Sequence, residues 1–81
     1  MSAAEQLAAL VLPPRVHKHT AQHLARLERA DHVIDVRHAL ERAEGFVEGL
    51  EVTGALNPRS IEALYQLVDD SATARLAALK A

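Results

Sequence analysis

Apolar side chains recur along the middle of the chain at alternating spacings of three and four, which is typical of α-helices with one buried seam. The first stripe is Val16, Thr20, His23, Leu27, Ala30 and Ile34. The second stripe is Val33, Val36, Leu40, Ala43, Val47 and Leu50. Because the stripes are offset by one residue, they point about 100° apart on a single helix. One partner helix cannot cover both, so the pattern predicts an all-α protein that buries one stripe and offers the other to a partner.

The first thirteen residues have their own start and stop signals. Ser2 and Glu5 have the spacing of a capping box, in which each side chain accepts a hydrogen bond from the other residue's backbone N–H. Pro13-Pro14 then ends the element, because proline lacks an N–H and disfavours helix at the residue before it. We therefore expect residues 1–13 to form a short N-terminal helix or arm.

The strongest local signal is a turn between two longer helices. The first of these is predicted at about residues 14–53, ended by Gly54, and the second at about 58–79. Asn57 is a good N-cap for the second helix, and Pro58 suits its first position. Connections this short join antiparallel neighbours, so residues 14–81 are predicted to form a helical hairpin domain.

The two predicted helices differ in length. At about 1.5 Å per residue the second reaches about 33 Å, which covers the first only back to around Val33. The overhang at 14–31 keeps an uncovered stripe. Its candidate interface residues are Val16, His23, Leu24, Leu27, Ala30 and Ile34.

Two arrangements would shelter this overhang. In the first, the long helix is continuous and pairs with a second copy, giving a homodimer of the four-helix-bundle type. In the second, the chain breaks between Ala30 and Asp35, with Asp31 or Asp35 as a new N-cap, and folds back into a monomeric bundle. The dimer is preferred, because no Gly or Pro lies near the proposed break and 81 residues bury only a small core.

Charge is segregated along the chain, although the net charge is only −2. Residues 14–30 carry Arg15, Lys18, Arg26 and Arg29, whereas residues 41–51 carry Glu41, Glu44, Glu48 and Glu51. The small total gives no electrostatic reason to expect nucleic acid or an anionic membrane as the main partner. The glutamates are interpreted as a solvated helix flank that can steer a basic partner. The alternative function is a small DNA-associated transcriptional regulator that uses the basic segment 15–29.

No combination of residues points to catalysis, a metal or a cofactor. The absence of cysteine excludes a disulfide framework and a cysteine-based zinc site. His19 and His23 share a helix face, but two ligands make a weak metal site. No Ser or Thr has a recognisable His and Asp partner. We therefore expect no enzymatic activity, no bound metal and no cofactor.

These observations predict a non-enzymatic protein–protein interaction module, acting as a regulator, adaptor or assembly factor through exposed helix surface. Its expected partners are a second copy and another protein. The apolar run at residues 7–12 has no basic segment before it, so it does not resemble a secretory signal. No stretch has the roughly 20 apolar residues of a membrane span. A cytoplasmic location is therefore expected.

Overall fold

A computed structural model describes residues 2–81, and Met1, the first residue of the predicted N-terminal segment, lies outside the described residues. Within this range the chain is all-α. Its helices are α1 (Ala3–Ala8), α2 (Pro14–Arg29), α3 (Val33–Val52) and α4 (Pro58–Lys80). None of the helices in residues 2–81 is both long and apolar enough to cross a membrane.

Helix α1 begins with the predicted capping box. The Oγ atom of Ser2 accepts a 3.1 Å hydrogen bond from the Glu5 N–H, and Glu5 Oε1 accepts a 3.2 Å bond from the Ser2 N–H. Leu7 is the buried side chain of this helix, with 4% of its surface exposed. Because α1 contacts both α2 and α4, the N-terminal segment is a short helix docked on the bundle.

The predicted continuous helix at 14–53 is wrong, because the chain breaks at residues 30–32, here called the elbow. Ala30 and His32 have extended backbone conformations, and α3 restarts at Val33 with His32 as its N-cap. Neither Asp31 nor Asp35 is the cap. The Asp35 carboxylate instead lies 3.2 Å from His32 Nδ1. The longest dimension of the molecule is 37 Å, well short of the roughly 60 Å expected for the unbroken helix.

Long-range contacts explain the elbow. Arg75 of α4 donates a 2.8 Å hydrogen bond from Nε to the free Ala30 carbonyl, and its Nη2 lies 3.6 Å from Asp31 Oδ1. The fold-back also places Leu27 of α2 and Val36 of α3 in the same core, each with no exposed surface. Burying most of both stripes inside one molecule, with Val33 and Ile34 left exposed, therefore outweighs the helical propensity of three residues.

The bundle core has two parts. One lies near the elbow and includes Leu24, Leu27, Val36, Val68 and Ala72. The other lies near the α3–α4 turn and is formed by Val47, Ile61 and Leu64. Helices α2, α3 and α4 all pack against one another around these clusters, so the described chain is a three-helix bundle with α1 added across α2 and α4.

The turn after α3 has the predicted cap residues. Gly54 has a φ angle of 69°, a left-handed conformation that glycine adopts without strain. The Ala55 N–H reaches back to the Leu50 carbonyl at 3.0 Å, which satisfies a free end of α3. At the start of α4, Asn57 Oδ1 accepts a 2.8 Å hydrogen bond from the Ser60 N–H.

Candidate functional site

The structure divides the predicted interface residues into a buried and an accessible group. Leu24, Leu27 and Ala30 have exposed fractions of 4%, 0% and 8%, so the prediction that they lie on an uncovered surface is wrong. The physical reason is the elbow, which lets α3 and α4 cover the α2 stripe. Ile34 is 57% exposed, and Val16 and His23 are partly buried.

The outer flanks of α2 and α3 meet along a surface here called the α2–α3 groove. Its elbow end is an open cavity of about 350 Å³, and its other end is formed by His19, His23 and Phe46. Arg26 and Arg29 are three residues apart on α2, and His38 and Arg42 are four apart on α3, so each pair shares a helix face. The charged or titratable residues that line this elbow cavity are Arg26, Arg29, Asp31, Asp35, His38 and Arg42.

The three arginines of the cavity have no carboxylate partner. Among residues 2–81, the acid–base contacts within 4.0 Å are Arg75 with Asp31 and His32 with Asp35, and the second is an ion pair only when His32 is protonated. Both carboxylates that line the cavity therefore already have a basic neighbour. Arg26 Nη1 lies 3.2 Å from His23 Nδ1, a neutral acceptor rather than a counter-ion. The cavity therefore gathers three guanidinium groups that form no ion pair among residues 2–81, together with the carboxylates of Asp31 and Asp35.

An aromatic ring lies next to these cations along the groove. The centroid of the partly buried Phe46 ring is 4.9 Å from that of His23 and 6.2 Å from that of His19. Partial burial lowers the pKa of His23 below its ordinary value, and the nearby Arg26, Arg42 and His19 lower it further. The end of the groove opposite the elbow therefore combines the apolar ring of Phe46 with two imidazoles. The imidazole of His23 tends to remain neutral.

Phe46 and Arg42 were not among the interface residues predicted from the sequence. Phe46 is the one phenylalanine of the chain and lies four residues after Arg42, so their shared helix face was visible in the sequence. What was missing was the position of α2 beside that face. Without the elbow, α2 and α3 would be one helix, and no groove could form between them.

The opposite flank of α3 is acidic. An open cavity of about 410 Å³ between α3 and α4 is lined by Glu41, Glu44, Gly45, Glu48 and Tyr65. Burial raises the pKa of Glu44, and so do the charge of Asp69, a hydrogen bond with Asp69 and the charge of Glu41. Helix α3 thus separates a basic groove from an acidic one.

The Tyr65 hydroxyl serves the acidic groove as a donor. It donates a 3.3 Å hydrogen bond to Glu51 Oε1. Burial raises the pKa of Tyr65, and Glu51 raises it further by its charge and by accepting this bond. The hydroxyl therefore remains a donor to the carboxylate.

The geometry around the histidine pair is poor for a metal. A guanidinium can only donate hydrogen bonds, so the contact from Arg26 occupies the Nδ1 acceptor of His23. In the described part of the chain, no three His, Cys, Asp or Glu side chains come together in a way that could hold a metal ion. The groove instead supplies guanidinium donors, positive charge and an aromatic face, which suit carboxylate or phosphate ligands.

Comparisons with known proteins found no match. No family model matches the chain, and no curated protein or solved structure is significantly similar to it.

Proposed function

We propose that this chain is a non-enzymatic protein–protein interaction module that binds an acidic, amphipathic helical segment of another protein in the α2–α3 groove. In this role it acts in the cytoplasm as a regulator, adaptor or assembly factor. The observation that carries the proposal is the convergence of Arg26, Arg29 and Arg42, without carboxylate partners, beside the partly exposed ring of Phe46.

Charge favours an acidic partner. Arginine side chains bind carboxylates through paired N–H donors, and such bonds are about twice as strong as neutral ones. Glutamates spaced three or four residues apart on a partner helix would meet Arg26 and Arg42 on the two sides of the groove. The guanidinium N–H groups would then exchange hydrogen bonds to water for hydrogen bonds to the partner's carboxylates.

The aromatic ring favours an amphipathic partner. Partly exposed aromatic side chains beside arginines are typical anchors of protein interfaces, because they bury large areas with few rotatable bonds. Phe46 lies against the imidazoles of His19 and His23, and His23 in turn contacts Arg26 of the elbow cavity. An apolar side chain of the partner packing on this ring would be flanked by the acidic side chains that contact the arginines.

A direct test uses a fluorescent helical peptide with Glu and Leu on one face, and a matched peptide in which Gln replaces every Glu. Fluorescence anisotropy should show binding of the Glu peptide that weakens as salt rises, and at least tenfold weaker binding of the Gln peptide. The double variant Arg26→Gln/Arg42→Gln should lose most of the affinity. Arg37→Gln is the matched control, because Arg37 is exposed on α3 but does not line the cavity.

Two results would contradict this function. One is equal affinity of the double variant and the wild type for the Glu peptide. The other is absence of binding at low ionic strength, where attraction between charges is strongest.

DNA binding is the second candidate function, and the same three unpaired arginines favour it. Only Arg26 and Arg29 of the basic segment 15–29 line the elbow cavity, so Arg15 and Lys18 do not extend it into the long basic track that a phosphate backbone would contact. Anisotropy with a duplex DNA separates the candidates. Tight duplex binding with a steep salt dependence, together with weak binding of the Glu peptide, would favour the DNA-associated regulator.

We also propose a homodimer, on the basis of complementary surface charge and not of unequal helix lengths. An uncovered overhang cannot drive dimerisation, since α2 is covered by its own chain. The acidic flank of one copy is, however, complementary to the basic groove of another. Sedimentation at low and high salt tests this assembly. A dimer mass that decreases with salt would support it, and a monomer mass at low salt and high concentration would rule it out.

A further inference from the structure

We propose that the elbow cavity is a phosphate subsite that receives a phosphorylated serine or threonine of the partner segment. This inference rests on the proposed function, because it assigns the elbow end of the same groove. The ligand class is a phosphate monoester, and its source is a side chain of the bound protein.

The number of donors in the cavity exceeds what a carboxylate uses. Each guanidinium has five N–H donors, and one carboxylate has two oxygens that a single arginine can occupy. A phosphate monoester offers three acceptor oxygens and a charge of about −1.5 to −2 at neutral pH. Three converging arginines therefore match a phosphate better than one acidic side chain.

The arginines come from two different helices, which gives the cavity a fixed shape. Arg26 and Arg29 belong to the last two turns of α2, and Arg42 belongs to α3. The elbow joins these helices, and the buried Ala30 and Ala39 line the cavity. The guanidinium groups thus stand on a packed scaffold instead of a mobile loop.

The local carboxylates set the selectivity of the cavity. Asp31 lies 3.6 Å from Arg75 and Asp35 lies 3.2 Å from His32, so each has a basic neighbour outside the arginine trio. A phosphate must still approach two carboxylates. The subsite therefore favours a ligand with enough charge to interact with all three arginines at once.

The cavity is placed to take a side chain of a longer ligand. It opens to solvent at the elbow end of the groove. A segment lying along the groove can thus contact Phe46 with one residue and direct a phosphorylated residue about two turns away into the cavity, at about 5.4 Å per turn.

The test compares two acidic helical peptides that differ only in phosphorylation of one serine at the elbow end. We expect the phosphopeptide to bind the wild type at least tenfold more tightly than the serine peptide. Arg29→Gln/Arg42→Gln should reduce this ratio to near one, whereas Arg37→Gln should leave it unchanged. Asp35→Asn should raise the ratio a few fold, because it removes a negative charge from the cavity lining.

Two further arms separate the sources of phosphate. Free O-phosphoserine and inorganic phosphate should compete with the phosphopeptide only at much higher concentration, because they lack the groove contacts. If they compete as strongly as the phosphopeptide itself, the cavity binds free phosphate and the assigned source is wrong. Circular dichroism of each variant verifies that it is folded.

The failures of the two proposals can be told apart. Equal affinity for the two peptides, or an unchanged ratio in Arg29→Gln/Arg42→Gln, would overturn the phosphate subsite and leave the acidic-partner function standing. Failure of both peptides to bind would overturn both.

Discussion

The two flanks of α3 carry opposite charges, and the charged side chains in the two grooves that they border have different neighbours. Toward α4, burial and the neighbouring Asp69 and Glu41 raise the pKa of Glu44, and Tyr65 donates a hydrogen bond to Glu51. Toward α2, Arg29 and Arg42 have no ion-pair partner among the described residues. The acidic groove can therefore reduce its repulsion by taking up protons, whereas the arginines of the basic groove have only Asp31 and Asp35 of the cavity lining to offset their charge.

Side-chain chemistry explains the difference. A carboxylate can take up a proton when its neighbours are also negative, so a crowded acidic cluster lowers its charge at little cost. A guanidinium stays charged at any pH at which the protein is folded. The cavity lining holds three arginines and two aspartates, an excess of one positive charge that an external anion can neutralise, and this distinguishes the α2–α3 groove as the face that gains most from a ligand.

The largest predicted effect comes from truncating Leu27, a core side chain that packs α2 against α3. Leu27→Ala should lower the free energy of unfolding by about 2–5 kcal/mol, because it leaves a cavity where α2 packs on α3. Ile34→Ala, at a position that is 57% exposed, should change it by less than about 0.5 kcal/mol. Urea denaturation measures both.

Protein concentration decides how the Leu27 result is interpreted. Because the side chain is covered within one chain, the loss of stability should be the same over a hundredfold range of concentration. A Leu27→Ala effect that disappears at high dilution would mean that a second copy covers this position.

The basic groove should also be the part of the molecule that weakens in mild acid. His23 has a pKa below its ordinary 6.5 in the folded protein, so the unfolded chain binds more protons as the pH falls through that value. Thermal stability should therefore be complete above about pH 6.5 and decline below it. The groups that face His23 are His19 and Arg26 of α2 and Arg42 and Phe46 of α3.

Matched histidine variants isolate this effect. His23→Gln should flatten part of the decline between pH 7.5 and 5.5, and exposed His17→Gln should behave like the wild type. Because solvent screens a partly buried group, the contribution should stay below about 1 kcal/mol. Identical pH profiles for the wild type and His23→Gln would show that the basic groove does not disfavour protonation of this histidine.

The acidic groove should respond to pH in the opposite sense. Because the pKa of Glu44 is raised above its ordinary 4.5, ionisation of Glu44 opposes folding as the pH rises. At pH 7, Glu44→Gln should stabilise the fold by about 0.5 kcal/mol or less after screening. Thermal melts should show that gain fade as the pH approaches 4.5, while exposed Glu62→Gln should produce none. Destabilisation by Glu44→Gln at pH 7 would indicate that the carboxylate makes a favourable ionic contact.

The smallest effect should appear in the free protein on neutralising one cation. Arg42→Gln should raise stability by about 0.3 kcal/mol, because it removes repulsion from Arg26 and breaks no ion pair. Arg37→Gln should leave stability unchanged. High salt should abolish the gain at Arg42, since exposed charges are screened. A loss of stability in Arg42→Gln at low salt would reveal a carboxylate partner in solution.

Local signals in the sequence were enough to predict the capped ends. Ser2 with Glu5, Gly54 and Asn57 each act within a few residues, and the structure shows the hydrogen bonds or backbone conformation expected for each. The helical character of the chain was likewise evident from its apolar spacing. Such features depend only on neighbouring residues, so they can be found in a single sequence.

The elbow could not be found in this way, and the site depended on it. Residues 30–32 contain neither Gly nor Pro, and their bend is held by Arg75, which is 45 residues away. The sequence did show that two stripes could not share one partner, but it did not reveal that the chain would cover both. Once α2 lies against α3, the separate basic segments become one groove around Phe46.

The most direct test of the basic groove is to map contacts by nuclear magnetic resonance during titration with the acidic helical peptide. Backbone amide shifts should change along the facing flanks of α2 and α3, including Arg26, Arg42 and Phe46, and should remain constant along the acidic flank at Glu41 and Glu48. Shifts confined to the α3–α4 side, or spread evenly over both flanks, would contradict the assignment of the binding face.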